Sequence, residues 1–231
     1  SGQYGTDFLV PGMAVEIVDN HTLEAYARRI VAKVERFNKE YSAVTFTEPL
    51  PENIRPGHLI AADEPGPDVH ISGCRMSGNR ARGLLIGSRG RVIIENNYFH
   101  IAGASILFEG DGNFWFEQSG VRDVTIRNNI FANGNYGSRG WGSACIAVGS
   151  GISQRQTSRY HRNIQVDGNL FRVFDPRIVN LYCVDGFQFS ASNRIVRTSD
   201  YPATFDPKLH FVFDQCDHIE IPRQIEMAEQ R

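Results

Sequence analysis

The sequence predicts an all-β protein whose main body is a right-handed parallel β-helix. Three observations carry that prediction. A strand motif recurs with Asn or Cys at one fixed offset. A short apolar segment follows each of the first four copies. Gly residues (22 in 231) and doubled Asn (Asn96-Asn97, Asn128-Asn129) mark turns, while alanine-rich helical stretches are scarce.

The motif reads apolar, any, apolar, two polar or small residues, Asn or Cys, any, apolar. Val69-His-Ile71-Ser-Gly-Cys74-Arg-Met76 fits it, as does Val92-Ile-Ile94-Glu-Asn-Asn97-Tyr-Phe99. Val124-Thr-Ile126-Arg-Asn-Asn129-Ile-Phe131 and Ile164-Gln-Val166-Asp-Gly-Asn169-Leu-Phe171 make four. Phe211-Val-Phe213-Asp-Gln-Cys216-Asp-His218 is a weaker fifth. The first four starts are 23, 32 and 40 residues apart. The segments behind them are Leu84–Ile86, Ile106–Phe108, Ile146–Val148 and Val179–Leu181. A single coil cannot bury its own apolar residues, but stacked coils share one core. Asn97, Asn129 and Asn169 are expected at a sharp corner, since Asn tolerates left-handed backbone. Cys74 and Cys216 are expected on the same rung, with Met76, Phe99, Phe131 and Phe171 stacked inside. A β-sandwich does not ask for Asn at one offset from each strand.

Residues 67–221 are thus expected to be coils and 222–231 a polar tail. Loop length varies while the strand pattern holds. The longest insertions are 110–120 and 133–143, with a second long stretch at 149–162. Residues 1–66 lack the Asn motif and are expected to form a small β-rich, barrel-like insertion. Val10-Pro-Gly and Arg55-Pro-Gly each precede an apolar stretch. Between them, Leu23, Ala27, Ile30, Val34 and Phe37 suit a helical face. Residues 29–37 and 43–46 equally suit two strands about Asn38.

Charge and composition narrow the function. Lys plus Arg is 24 and Asp plus Glu is 26, for a net charge of −2, so no basic excess points to nucleic acid. No apolar run approaches the roughly 18 residues of a membrane span. The four cysteines form no CxxC and read as buried thiols rather than a zinc site or disulfides.

Three stretches resemble a known family. They are Asn79-Arg-Ala-Arg-Gly-Leu-Leu-Ile-Gly-Ser-Arg-Gly90, Ile106-Leu-Phe-Glu-Gly-Asp111, and Phe114-Trp-Phe-Glu-Gln-Ser-Gly-Val-Arg-Asp-Val-Thr-Ile-Arg-Asn-Asn129. They are similar to glycoside hydrolase family 110, the α-1,3-galactosidases, over most of residues 10–150. The resemblance implies a pectin-lyase-like β-helix, removal of terminal α-linked galactose with inversion, no metal or other cofactor, and bacterial export to the periplasm or medium. It also implies strands for residues 28–46. The family carries a Gly-Asp-Asp pair on an earlier coil, expected to supply the catalytic carboxylates. This chain has no Asp-Asp pair. It is therefore expected to be the C-terminal portion of a longer enzyme, or a truncated relative.

Inverting hydrolysis needs two carboxyl groups, one to protonate the leaving oxygen and one to activate water. The catalytic candidates within this chain are Glu109, Asp111 and Glu117. Arg80, Arg82, Glu109, Asp111 and Trp115 are the candidate substrate contacts. Arg offers a fork to hydroxyls or carboxylates, and one of Arg80 and Arg82 could orient a catalytic aspartate or simply pair with Glu109 across coils. Trp115 could stack on the apolar face of galactose or anchor its loop; Trp141 carries the same pair of readings. His100 reads as a turn histidine. The outward residues Ser72, Glu95, Arg127 and Asp167 read as a surface stripe with a Glu–Arg contact.

The leading expectation is a portion of an α-galactosidase-like hydrolase acting on a galactose-terminated glycan. The alternative is a non-catalytic carbohydrate-binding or structural β-helix. A pectate-lyase-type enzyme would want clustered Asp ligands for calcium, which the likely groove strands lack. An open coil end needs a cap, expected from residues 1–66, another protomer, or a further N-terminal segment.

Overall fold

The computed structural model describes residues 7–112, 114–116, 120–152, 158–202 and 208–229. The chain divides into two compact units. One comprises residues 1–65, 111–118 and 151–155; the other comprises 66–110, 119–150 and 156–231.

The first unit contains β1 (Ala14–Val18), β2 (Ala25–Arg36), β3 (Ser42–Phe46) and β4 (Leu59–Ala62), in the antiparallel order β3-β2-β1-β4. The ambiguous stretch is thus a strand. Its N-terminal half pairs with β1 and its C-terminal half with β3. The helical-face reading fails because those residues do not share a buried side: Phe37 is 71% exposed and Ile30 38%, while Leu23 is buried. Asn38 makes the hairpin, its side-chain oxygen accepting the N–H groups of Glu40 and Tyr41 at 2.8 and 2.9 Å. Leu9, Val15 and Val31 form the centre of a small core.

The second unit is a parallel β-helix with three strands per coil. Its coils are β5 (Val69–Ser72), β6 (Arg75–Ser77), β7 (Leu84–Ile86); β8 (Arg91–Glu95), β9 (Tyr98–His100), β10 (Ile106–Phe108); β11 (Asp123–Arg127), β12 (Ile130–Ala132), β13 (Ile146–Val148). There follow β14 (His161–Asp167), β15 (Leu170–Val173), β16 (Arg177–Tyr182); β17 (Val184–Phe189), β18 (Arg194–Arg197), β19 (His210–Asp214); then β20 (Asp217–Glu220) and β21 (Met227–Glu229). Equivalent strands of successive coils pair in parallel, giving three sheets. The residues just after each Asn form short strands in their own right, so a coil has three strands where the sequence pattern marked two.

Register stacks like on like. Val69, Val92, Val124, Ile164, Phe187 and Ile219 are successive partners on one rung. Met76, Phe99, Phe131, Phe171, Ile195 and Met227 are partners on another, with Phe131 stacked 5.2 Å from Phe99 and 4.6 Å from Phe171. Nearly parallel rings at this spacing are in stacking contact along the core. Met227 extends this column, so residues 227–229, read as tail, form a paired strand.

The Asn column is a hydrogen-bonded ladder. The Asn97 side-chain N–H donates to Asn129 Oδ1 (3.1 Å), Asn129 to Asn169 (3.0 Å), and Asn169 to Asn193 (3.0 Å). Each Oδ1 also accepts a backbone N–H from the coil before, and each Nδ2 donates to a strand carbonyl: Ile71, Ile94, Ile126 and Val166. The left-handed residue is not the ladder Asn but its predecessor: Gly73, Asn96, Asn128 and Gly168 have φ of 68°, 57°, 55° and 62°. The side chain that must face inward sits one residue after the bend.

Two rung assignments change. Phe211 and Phe213 pair with Val179 and Leu181, so the weak fifth copy belongs to the third-strand sheet. Cys216 accordingly lies off the Asn column, its thiol donating to Asp214 O at 3.2 Å. The true fifth copy is Phe187-Gln-Phe189 with Asn193, one residue later than the motif allows. The extra residue is absorbed in a turn closed from Asn193 N–H to Ser190 O. Cys145 and Cys183 are buried free thiols; Cys74 is exposed because it heads the ladder on the first described coil, its N–H donating to Asn97 Oδ1.

Candidate functional site

On the outer side of the third-strand sheet, Arg82 and Glu109 pair across adjacent coils at 3.8 Å, each side chain 41% exposed. Arg82 precedes β7 in a turn held by Asn79 Nδ2 donating to Arg82 O (3.1 Å). Glu109 follows β10 directly. Between them the sheet presents Leu85, 45% exposed, and its partner Leu107. The pair offers a guanidinium fork beside a carboxylate, a donor and an acceptor open to the hydroxyls of a polyol.

Arg80 takes a different partner. Its guanidinium lies 5.6 Å from the ring centre of Trp141, a cation–π contact spanning two coil spacings. Trp141 ends a single 3₁₀ turn, Arg139–Trp141, capped by Ser138. The reach is possible because Gly103 lies between. A side chain there would fall 2.2 Å from the carbonyl oxygens of both Ala81 and Trp141.

In the other unit, Asp111 holds a turn. Its carboxylate accepts the N–H of Phe114 at 3.0 Å and that of Trp115. The turn projects Phe114 and Trp115, each 61% exposed, with their rings edge to face at 4.8 Å. Glu117 lies outside the described residues.

His100 donates from Nδ1 to Ala132 O at 2.8 Å and stacks on Tyr136 at 4.9 Å. The surface stripe carries its Glu–Arg contact: Arg127 Nε donates to Glu95 at 2.6 Å, and His70 Nε2 lies 2.8 Å from the other oxygen. The Arg127 hydrogen bond, then that of His70, holds the Glu95 carboxyl below its ordinary pKa. Among the described residues no three His, Cys, Asp or Glu side chains gather where a metal ion could be held.

Sequence reasoning did not find the Arg80–Trp141 contact. Trp141 lies in an insertion whose path no periodicity fixes; Gly103, in the short stretch between, was the available signal.

Residues 1–60 match the family described as GLAA-B beta-barrel domain II. The chain is 38% identical over 201 residues to alpha-1,3-galactosidase A of Shewanella woodyi, covering 87% of this chain and 32% of that protein. The chain is similar to α-1,3-galactosidases. With alpha-1,3-galactosidase B of Bacteroides thetaiotaomicron, identity is 33% over 219 residues, 94% of this chain and 35% of the relative. With the B protein of Akkermansia muciniphila it is 29% over 220 residues, 94% and 27%. The similarity therefore continues well past residue 150. The chain spans about a third of the length of these galactosidases.

Proposed function

We propose that this chain is the substrate-contacting portion of an inverting α-galactosidase-like glycoside hydrolase that removes terminal α-linked galactose. The observation that carries the reading is its similarity to α-1,3-galactosidases along 87–94% of its length. Arg82 and Glu109 are the polar contacts to sugar hydroxyls; in the other unit, Trp115 separately offers a ring for an apolar sugar face. Arg80 braces Trp141. Glu109 is the leading carboxylate for chemistry within the chain. Asp111, already accepting two backbone N–H groups, holds the turn that presents Trp115. The whole enzyme works outside the cytoplasm.

The test uses an α-1,3-linked galactose disaccharide, with the released anomer followed by proton NMR. Release of β-galactose by this 231-residue chain, lost in Glu109→Gln with the melting temperature unchanged, supports the reading with Glu109 as a working carboxylate. A folded chain that binds the disaccharide without cleaving it supports a second reading, a carbohydrate-binding β-helix. Asp111 favours that second reading, since a carboxylate committed to a turn is a poor proton carrier. A folded chain that neither binds nor cleaves overturns both.

A further inference from the structure

Two insertions leave the β-helix between its third and first strands, after β10 and after β13. Tyr160 and His161 stand where the second one ends. The ring of Tyr160 lies against Gly110. A Cβ there would fall 2.1 Å from Tyr160 Cε1. The same ring edge and the Tyr160 carbonyl face Gly120, where a Cβ would meet them at 3.3 and 2.6 Å. Gly110 and Gly120 are the two ends of the first insertion. His161 is fully buried, and its ring meets that of Tyr160 edge to face at 4.9 Å. Its Nδ1 accepts the N–H of Val121 at 3.3 Å, one residue beyond Gly120. Its Nε2 donates to Gly149 O at 2.6 Å, the start of the second insertion. Both ring nitrogens are thus engaged, which requires the neutral imidazole. Burial keeps it neutral by pushing its pKa down to about 4.

All four insertion ends therefore meet at two adjacent side chains. We propose that Tyr160 and His161 are positioning residues that fasten both insertions to the β-helix by their ends and so couple the order of one to that of the other. The consequence for sugar binding rests on the galactosidase reading; the fastening does not. Pinning a loop at both ends removes conformers that binding would otherwise have to remove. A large aromatic pressed on two glycines also explains why neither position carries a side chain.

The test is hydrogen–deuterium exchange on the full 231-residue chain, comparing Tyr160→Ala, Tyr160→Phe and His161→Gln with the parent. Loss of the Tyr160 ring is expected to speed exchange about tenfold in peptides covering both 108–121 and 146–162, with the Asn-ladder peptide 94–99 unchanged. Tyr160→Phe keeps the ring and should restore parental exchange in both peptides. If Tyr160→Ala does not fold, Gly110→Ala displaces the ring from the other side and should give the same paired loosening. In an active protein, Tyr160→Ala should raise KM for the galactoside more than it lowers kcat, and Tyr160→Phe should rescue it. Exchange that rises in one insertion only, or in neither, overturns the proposal whether or not the chain binds galactose. Paired loosening with an unchanged KM keeps the fastening and removes its link to substrate.

Discussion

At the corner between first and second strands, the first four coils turn in the same two residues, and the fifth coil differs by one. At the corner between third and first strands, the connection ranges from the single residue Cys183 to the stretch between Phe108 and Asp123. The first corner is built around a buried amide column whose every hydrogen-bonding group is matched to the coils on either side. An extra residue there has to be absorbed without moving the column amide, as the turn closed between Ser190 and Asn193 does in the fifth coil, so length is held nearly constant. The second corner has no such column, so chain can be added, and residues suited to contacting a ligand accumulate there. The cost of added chain is that its ends must be held, which is the work assigned to Tyr160 and His161.

The comparison breaks most sharply in the rigid half. Phe131→Ala, between two stacked rings, should cost about 4 kcal/mol, and Asn129→Ala, which orphans Asn97 N–H and Ile94 O, about 3 kcal/mol. At roughly 3 °C per kcal/mol for a chain of this size, both should lower the melting temperature by about 10 °C. A drop under about 3 °C in calorimetry would mean the columns are not what holds the coils.

Next is the pH dependence of His161. Its folded pKa of about 4 lies below the unfolded value near 6.5, so the unfolded chain binds the proton more readily. The stability this group contributes is complete above pH 6.5 and is lost as pH falls towards 4, a change of about 3 kcal/mol. Denaturant titrations at pH 7 and pH 4 should show that loss, and His161→Gln should remove that share of it. An identical pH slope in the variant would place the proton elsewhere.

Trp115→Ala should leave stability within about 0.5 kcal/mol, because the side chain is 61% exposed. Galactoside binding should weaken roughly tenfold, about 1.4 kcal/mol. Calorimetry with the disaccharide reads both halves, and unchanged affinity removes Trp115 from the contact set. The smallest effect belongs to Arg127→Ala on the exposed stripe. It should cost under about 1 kcal/mol while letting the Glu95 carboxyl rise towards its ordinary pKa, readable by NMR titration.

Much of this could be read from the residues in order. The offset of Asn97, Asn129 and Asn169 and the aromatic column both follow from a repeat that the chain states four times. Asn193 escaped because one inserted residue shifted it out of the pattern, and Phe211 was misplaced because two phenylalanines two apart satisfy either rung. A pairing of Glu109 with Arg80 or Arg82 was an available alternative, since all three flank short strands of adjacent coils; the folded chain selects Arg82. Tyr160 and His161 were invisible, because nothing in a linear reading says that a tyrosine fifty residues away fills the space above Gly110.

Periodicity along this sequence determined the fold class, the inward and outward faces, and the ladder. Each is a local pattern repeated until stacking becomes the one way to bury it. The tertiary structure alone decided which carboxylate faces the guanidinium of Arg82, which is tied into a turn, and where the insertions are fastened. Those outcomes depend on the register between coils 23 to 40 residues apart and on glycines whose missing side chains make room for a distant ring.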